Sequence, residues 1–369
     1  MSYQRIIDEI RNGTADRRTV AKAMASLGLV MGAAPIMAPG VRAEIRQPLL
    51  FTWSGYEIPE LHPDYIEKYG RSPDWTNFAD TTEAYNKMRA GFQVDMFHPC
   101  TEDMTRLRDA DLVMPLDTSR LAHWDDLFPV MKTQAGVMYD GEAYFAPTDW
   151  GNSSVIYRTD LVDAEESWAM MFDERYAGKI SPPDTTSMIY AAAAILGYDM
   201  RNAPQDALDG PIADMLRKQR SLARVYWSTA TELDQAMASG EIVIAYAWNE
   251  TYKRLKEQGV PVAYARPKEG IWGWCCGLVR IRGGEGDEQA VYDFINAWQS
   301  PTAGKYLIEG YGYGHSNMKS FEVADPAVVA SLGLTNPEDL MANSVFFGPL
   351  DPAVEDRYQK LWEEIQAGS

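Results

Sequence analysis

The 369-residue chain is short of cysteine, histidine and positive charge, and each shortage excludes something. Three cysteines, Cys100, Cys275 and Cys276, are too few for the dense, even framework of a disulfide-stapled secreted domain and lack the spacing of a zinc site. At most one bridge can form, for example Cys100 with either member of the neighbouring pair, so stability must come from a hydrophobic core. The four histidines, His62, His98, His123 and His315, are scattered, with no His-Glu-x-x-His motif among them. A Gly-x-Ser-x-Gly elbow, a P-loop and a dinucleotide fingerprint are missing too. His98 lies beside Cys100, but neighbours so close in sequence seldom face each other as nucleophile and base. Acidic pairs such as Asp125-Asp126 and Glu363-Glu364 read as solvated helix faces rather than as a pair across a cleft. No catalytic residue, metal or cofactor is therefore assigned, and an exported hydrolase is kept as the alternative class.

Lysine and arginine number 34 against 53 aspartate and glutamate, a formal charge of −19. Residues 1–43 hold an excess of basic groups, so the remainder carries about −22. Such a surface repels nucleic-acid phosphates and anionic lipid, which excludes both as partners, and weakly concentrates cations. No apolar run reaches the ~20 residues that cross a bilayer as a helix. Internal repeats and low-complexity linkers are also lacking. The length exceeds what one hydrophobic core comfortably serves, which predicts two lobes linked by chain crossovers inside the fold rather than by one flexible linker.

What is present begins with three parts of an export signal. Asp16-Arg17-Arg18-Thr19-Val20-Ala21-Lys22 is followed by a mildly apolar, Ala/Met/Gly-rich run to about Ala38 and then by Val41-Arg42-Ala43. Paired arginines, the following lysine and the long basic region are those of a twin-arginine signal over residues 1–43, which places the folded protein in the periplasm.

Beyond it the chain alternates short apolar runs with helix-like segments. Leu49-Leu50-Phe51-Thr52-Trp53 reads as a strand before Gly55, Pro59 to Tyr69 and Thr82 to Ala90 as helices, and Val94 to Phe97 as a strand stopped by Pro99. The rhythm continues through Val155–Tyr157, Ala191–Ile195, Ile242–Tyr246 and Leu278–Ile281. This predicts an α/β architecture whose ligands sit beyond the carboxyl ends of the strands. Aromatic and polar residues gather there, at Trp53–Tyr56, Phe97–Thr101, Trp248-Asn249 and Trp272–Cys276.

In order and spacing, several of these stretches resemble the periplasmic spermidine/putrescine-binding family of ABC-transporter substrate-binding proteins. They are Phe51-Thr52-Trp53-Ser54-Gly55-Tyr56, Pro147-Thr148-Asp149-Trp150-Gly151, Gly178-Lys179-Ile180 through Asp184 to Leu196-Gly197-Tyr198, Ala247-Trp248-Asn249, Pro267-Lys268-Glu269-Gly270 and Tyr311-Gly312-Tyr313. The resemblance implies a two-lobed type II periplasmic-binding-protein fold with hinge crossovers and a ligand cleft between the lobes. It divides the chain into lobe 1 (44–149 plus 277–331) and lobe 2 (150–276 plus 332–369). It also implies a monomer that captures a small amine and delivers it to the permease subunits of an importer. Trp53, Tyr56, Trp248, Trp274 and Tyr313 match the family's aromatic ligand box, and Asp184 matches a carboxylate that pairs with an amine. Two further acidic positions of the family carry Ser187 and Cys276 here, which favours a ligand with fewer charges than spermidine. Glu102, with Cys100 beside it, stands near another cleft position and offers a replacement acceptor. A zwitterion whose carboxylate meets Ser187, Asn249 or Arg158 is equally open at this stage, as are amino-acid, opine and ferric-ion ligands.

Overall fold

The computed structural model describes residues 45–78, 81–227, 229–342 and 344–368, so the signal over residues 1–43 lies outside the described residues. Apolar segments of β-branched, aromatic and leucine residues form the main strands. These are β1 (Leu49–Trp53), β2 (Asp74–Phe78), β3 (Met96–Phe97), β4 (Ala146–Arg158), β5 (Ile180–Ser181), β6 (Ile244–Trp248) and β7 (Ile271–Ile281). They neighbour one another in the order β2-β1-β3-β7-β4-β6-β5, within a sheet of eleven strands among the described residues. β1 is parallel to β2 and β3, and β5 is parallel to β6. Helices Pro63–Tyr69 and Thr81–Arg89 make the crossovers that such parallel pairs require at one end of the sheet, and Ser187–Leu196 makes one at the other.

The two long strands are different. β7 runs antiparallel to β3 at Val279-Arg280 and to β4 from Trp272 to Leu278, while β4 runs antiparallel to β6 from Ser153 to Tyr157. Each long strand therefore begins in one hydrophobic core and ends in another. Trp150 of β4 and Cys275, Val279 and Ile281 of β7 are buried with Phe51, Phe97, Met104 and Phe145. A second cluster beside it gathers Leu50, Tyr65, Leu278, Phe294 and Trp298. The other ends, Val155-Ile156 of β4 and Trp272 of β7, are buried with Trp168, Ile189, Leu216, Ile244 and Trp362. This is the two-lobed α/β architecture, with paired strands as the crossovers. Their ladder shifts register between Cys276 and Gly277, a bulge that bends a strand locally.

The chain crosses once more near its end. Leu334 and Met341 are buried in the first lobe, with Phe346 packed against them, whereas Phe347 and the helix Pro352–Ala367 pack into the second. Between Met341 and Phe347, Ser344–Phe346 pairs in parallel with Ile271–Gly273 of β7. Two local expectations change. Ala191–Ile195 lies inside the helix Ser187–Leu196, closed by Gly197 in the left-handed region at φ 79°. An apolar run of alanines has no strand period, and alanine is the strongest helix former. The predicted helix from Pro59 to Tyr69 is broken at His62, where φ and ψ are −151° and 46° and Pro63 starts a new helix.

Candidate functional site

The crossover ladder organises the site. Directly paired residues share a face of a sheet, and so do alternate residues along each strand. Pairs Cys276–Asp149, Trp274–Gly151 and Trp272–Ser153 on one side of β4, with Trp248–Ser153 on the other, thus line up on one face. Gly151 is small for a reason: a Cβ there would lie 2.3 Å from Cζ2 of Trp274 and 2.7 Å from Oδ1 of Asn249. Any other residue would push the Trp274 ring away.

At the first-lobe end of this face Asp149 is buried and saturated with donors. Its Oδ1 accepts from His98 Nε2 at 3.0 Å and from Thr148 Oγ1 at 2.7 Å, and its Oδ2 accepts from Tyr56 Oη at 2.9 Å. Burial alone would push this carboxyl up, but the adjacent His98 imidazole and the three hydrogen bonds hold it below the ordinary range. Thr52 Oγ1 lies 3.0 Å from His98 Nδ1. Thr52, His98 and Asp149 thus form a hydroxyl–imidazole–carboxylate line, but all three are buried at 1% exposure or less, so the line is sealed from solvent.

Above Asp149 the rings of Tyr56, Tyr311 and Tyr313 stack in series, with centroids 5.4 and 5.9 Å apart and interplanar angles of 27°. Trp274 meets Tyr313 edge to face at 4.8 Å. The hydroxyls are all committed. Tyr313 donates to Glu250 and Tyr311 to the Gly55 carbonyl. Glu250 also receives Arg254, which reaches on to Asp234 at 2.5 Å. Tyr313 packs with the first lobe and Glu250 begins the helix Asn249–Glu257 that follows β6, so this bond ties the lobes together. Asn249 makes a second tie, donating from Nδ2 to the Gly312 carbonyl.

Glu102 stands apart from these satisfied groups. It sits in the short turn Thr101–Asp103, and its Oε2 is buried without a hydrogen-bond partner. Burial, reinforced by the neighbouring Asp103 carboxylate, pushes its pKa up to about 7. Its charge is also felt by Tyr190 and Tyr246 of the second lobe, both of which burial raises in the first place. Glu102 thus lies within electrostatic reach of Tyr190 and Tyr246. Among the described residues, Arg106 is a cation whose charge is felt at Glu102; it is bound to Asp103 and lies 3.7 Å from Glu355.

The remaining sequence candidates are distributed around this centre. Trp53 packs on Phe78 at 4.6 Å in the first lobe, and Trp248 meets Trp227 edge-on at 5.2 Å in the second. Asp184 is exposed in the loop before the helix Ser187–Leu196, its backbone N–H bonded to the Trp227 carbonyl. Arg158 is held by Asp160, with an N–O distance of 2.8 Å, at the far end of β4 from Asp149. Cys100 and Cys276 are joined as a disulfide, with 7% and 5% exposure, so neither offers a thiol to a ligand, and Cys275 is the buried free cysteine. Sequence reading gave Asp149, His98 and Glu250 no place in the site, although it quoted Asp149 in a family-like stretch and weighed His98 only as a partner of Cys100. The one available signal was an acidic residue in the otherwise uncharged stretch Tyr144–Tyr157.

Residues 64–333 match the family model described as bacterial extracellular solute-binding protein. The chain belongs to that family. This solute-binding protein is 25% identical over 364 residues to the putrescine-binding periplasmic protein PotF of Escherichia coli K12, covering 92% of this chain and 97% of that one. Among solved structures, a putative spermidine/putrescine ABC transporter from Listeria monocytogenes superposes with a TM-score of 0.77 at 19% identity, covering 86% and 98% of the two chains. The periplasmic binding protein MotA of A. tumefaciens B6, in complex with glucopine, gives 0.69 at 16%, covering 87% and 99%. Members of the family are non-catalytic, so the hydrolase alternative is dropped.

Proposed function

We propose that this solute-binding protein captures a small cationic amine in the periplasm, after export by the twin-arginine route, and delivers it to the permease subunits of an ABC importer. The observation that carries the amine is the buried, unpartnered carboxylate oxygen of Glu102. An ammonium there supplies the donor that Glu102 lacks. A charge-assisted hydrogen bond contributes about 1.5–3 kcal/mol, and each cation–π contact roughly 0.5–2 kcal/mol. One such bond with three or four ring faces approaches the −8 kcal/mol or so of a micromolar complex. Trp53, Trp248 and Trp274 supply the rings. Tyr56 and Tyr313 contribute ring faces only, because their hydroxyls are occupied. Ser187 lies beside the ammonium, Asp184 draws cations at the rim, and the Cys100–Cys276 disulfide forms an apolar part of the wall. The lobes divide at the Cys276–Asp149 pair, where the 149/150 and 276/277 boundaries stand opposite each other, and at 346/347.

Ferric-ion capture is disfavoured because Tyr311 and Tyr313, the tyrosines nearest the cleft turn, donate their hydroxyls to protein acceptors. A thermal-shift screen of amines, amino acids and ferric citrate tests the reading by mass action. Calorimetry with the best amine should then show Glu102→Gln weakening it more than tenfold. An unchanged affinity, or a screen in which no amine raises the melting temperature, removes the amine from the site.

A further inference from the structure

One short first-lobe segment, residues 98–103, is fastened to each of the three crossings between the lobes. His98 Nε2 lies 3.0 Å from Asp149 Oδ1 on β4. Cys100 is bridged to Cys276 of β7, and beside the bridge the Gly277 N–H donates to the Pro99 carbonyl at 3.0 Å. Thr101 Oγ1 donates to the Phe347 carbonyl at 3.0 Å, where the chain crosses for the last time. Asp103 holds Arg106, which lies 3.7 Å from Glu355 on the second-lobe helix Pro352–Ala367. Of these fastenings the disulfide alone is covalent, and it sits where the ladder of β4 and β7 shifts register.

Single hydrogen bonds and ion pairs contribute little each and re-form as a hinge bends, whereas a disulfide holds its two strands together until chemistry releases them. Two features fit this bridge for reversible release. Cys276 lies on the sheet face of Asp149 and Trp274, and the bridged pair keeps 7% and 5% exposure, while Cys275 is wholly buried on the opposite face. Burial also pushes the Cys275 thiol well up, so it supplies no thiolate to capture a released partner, and the original pair re-forms without scrambling. We propose that the Cys100–Cys276 bridge is a redox-controlled staple of the hinge, opened by a small dithiol, and that the reduced molecule bends more freely between its lobes. One thiolate of the dithiol attacks a bridge sulfur, forming a mixed disulfide as the other cysteine leaves as thiolate, and the second thiol of the reagent then displaces the first cysteine. The dithiol ends as a cyclic disulfide, and Cys100 and Cys276 end as thiols, having taken up two electrons and two protons. This step is independent of which solute the protein carries.

The test is dithiothreitol treatment of the full-length protein without denaturant, read by maleimide labelling, circular dichroism and amide hydrogen exchange. Labelling should appear on Cys100 and Cys276 and not on Cys275, with the circular dichroism spectrum of the fold retained. Exchange should quicken at least about tenfold over residues 150–153 and 272–276, the ladder between the lobes, and hold steady in the first-lobe helix Glu288–Trp298. Oxidised glutathione should reverse both changes. Cys100→Ser/Cys276→Ser should show the fast exchange from the start and no response to dithiothreitol. A bridge that yields no thiol until the protein is unfolded, a fold lost on reduction, or exchange that is unchanged or quickens evenly through both lobes overturns the proposal and leaves the bridge a stabiliser of the fold alone.

Discussion

Glu102 illustrates how a single side chain couples solute, proton and stability. Its carboxyl is raised from an ordinary 4.5 to about 7, by burial first and by Asp103 second. The folded, ligand-free protein therefore holds a proton that the unfolded chain has already lost across that window, so its stability falls as pH rises from about 4.5 to about 7. The contribution is fully present below 4.5 and gone above 7. Melting curves of the ligand-free protein should show this decline, and Glu102→Gln should flatten it. Binding runs the other way, because only the ionised carboxylate welcomes an ammonium: affinity should rise between pH 6 and 8 in the parent and stay level in the variant. A parallel pH profile in both proteins would assign the proton elsewhere.

At the scale of elements, the two crossover strands carry most of what distinguishes this chain, and sequence made only part of them visible. Val155–Tyr157 and Leu278–Ile281 stood out as apolar runs, yet they are the ends of strands of 13 and 11 residues. The rest of β4 contains Pro147, Gly151, Ser153 and Ser154, residues that read as a loop. What makes them strand is tertiary: Gly151 yields to Trp274, and Ser154 donates to the Ala265 carbonyl at 2.7 Å. The aromatic candidates were legible because tryptophans ending apolar runs are conspicuous. Asp149, His98 and Glu250 were not, because the bonds Tyr56–Asp149, His98–Asp149 and Tyr313–Glu250 span 93, 51 and 63 residues. The bridge partner of Cys100 was likewise open between two adjacent cysteines, and strand pairing decided it. That bridge spans 176 residues of sequence, so constraining the unfolded chain makes it worth about 2–5 kcal/mol. Urea denaturation of Cys100→Ala/Cys276→Ala should show a loss in that range, whereas Cys275→Ala, which removes one buried thiol from a core, should lose less.

The molecule as a whole is held together by three crossings and a small set of ties between lobes. Tyr313 to Glu250, Asn249 to Gly312 and the Arg106–Glu355 pair at 3.7 Å join segments that pack on different hydrophobic cores. Exposed or singly bonded ties of this kind contribute little each, so a few suffice to bias an opening equilibrium without locking it. Tyr313→Phe should enlarge the ligand-free radius of gyration in small-angle scattering and leave the ligand-saturated value unchanged. An unchanged free radius would place the control of opening in the strands alone. The adjacency of Cys275 and Cys276 bears on how the bridge forms. The two side chains point to opposite faces of one strand, so a bridge from Cys100 to Cys275 would demand a slip of one residue that turns every ring of β7 to the wrong side. Oxidation before the sheet zips up has two choices; oxidation afterwards has one. The pleat thus decides which of two adjacent thiols Cys100 can reach once the sheet has formed.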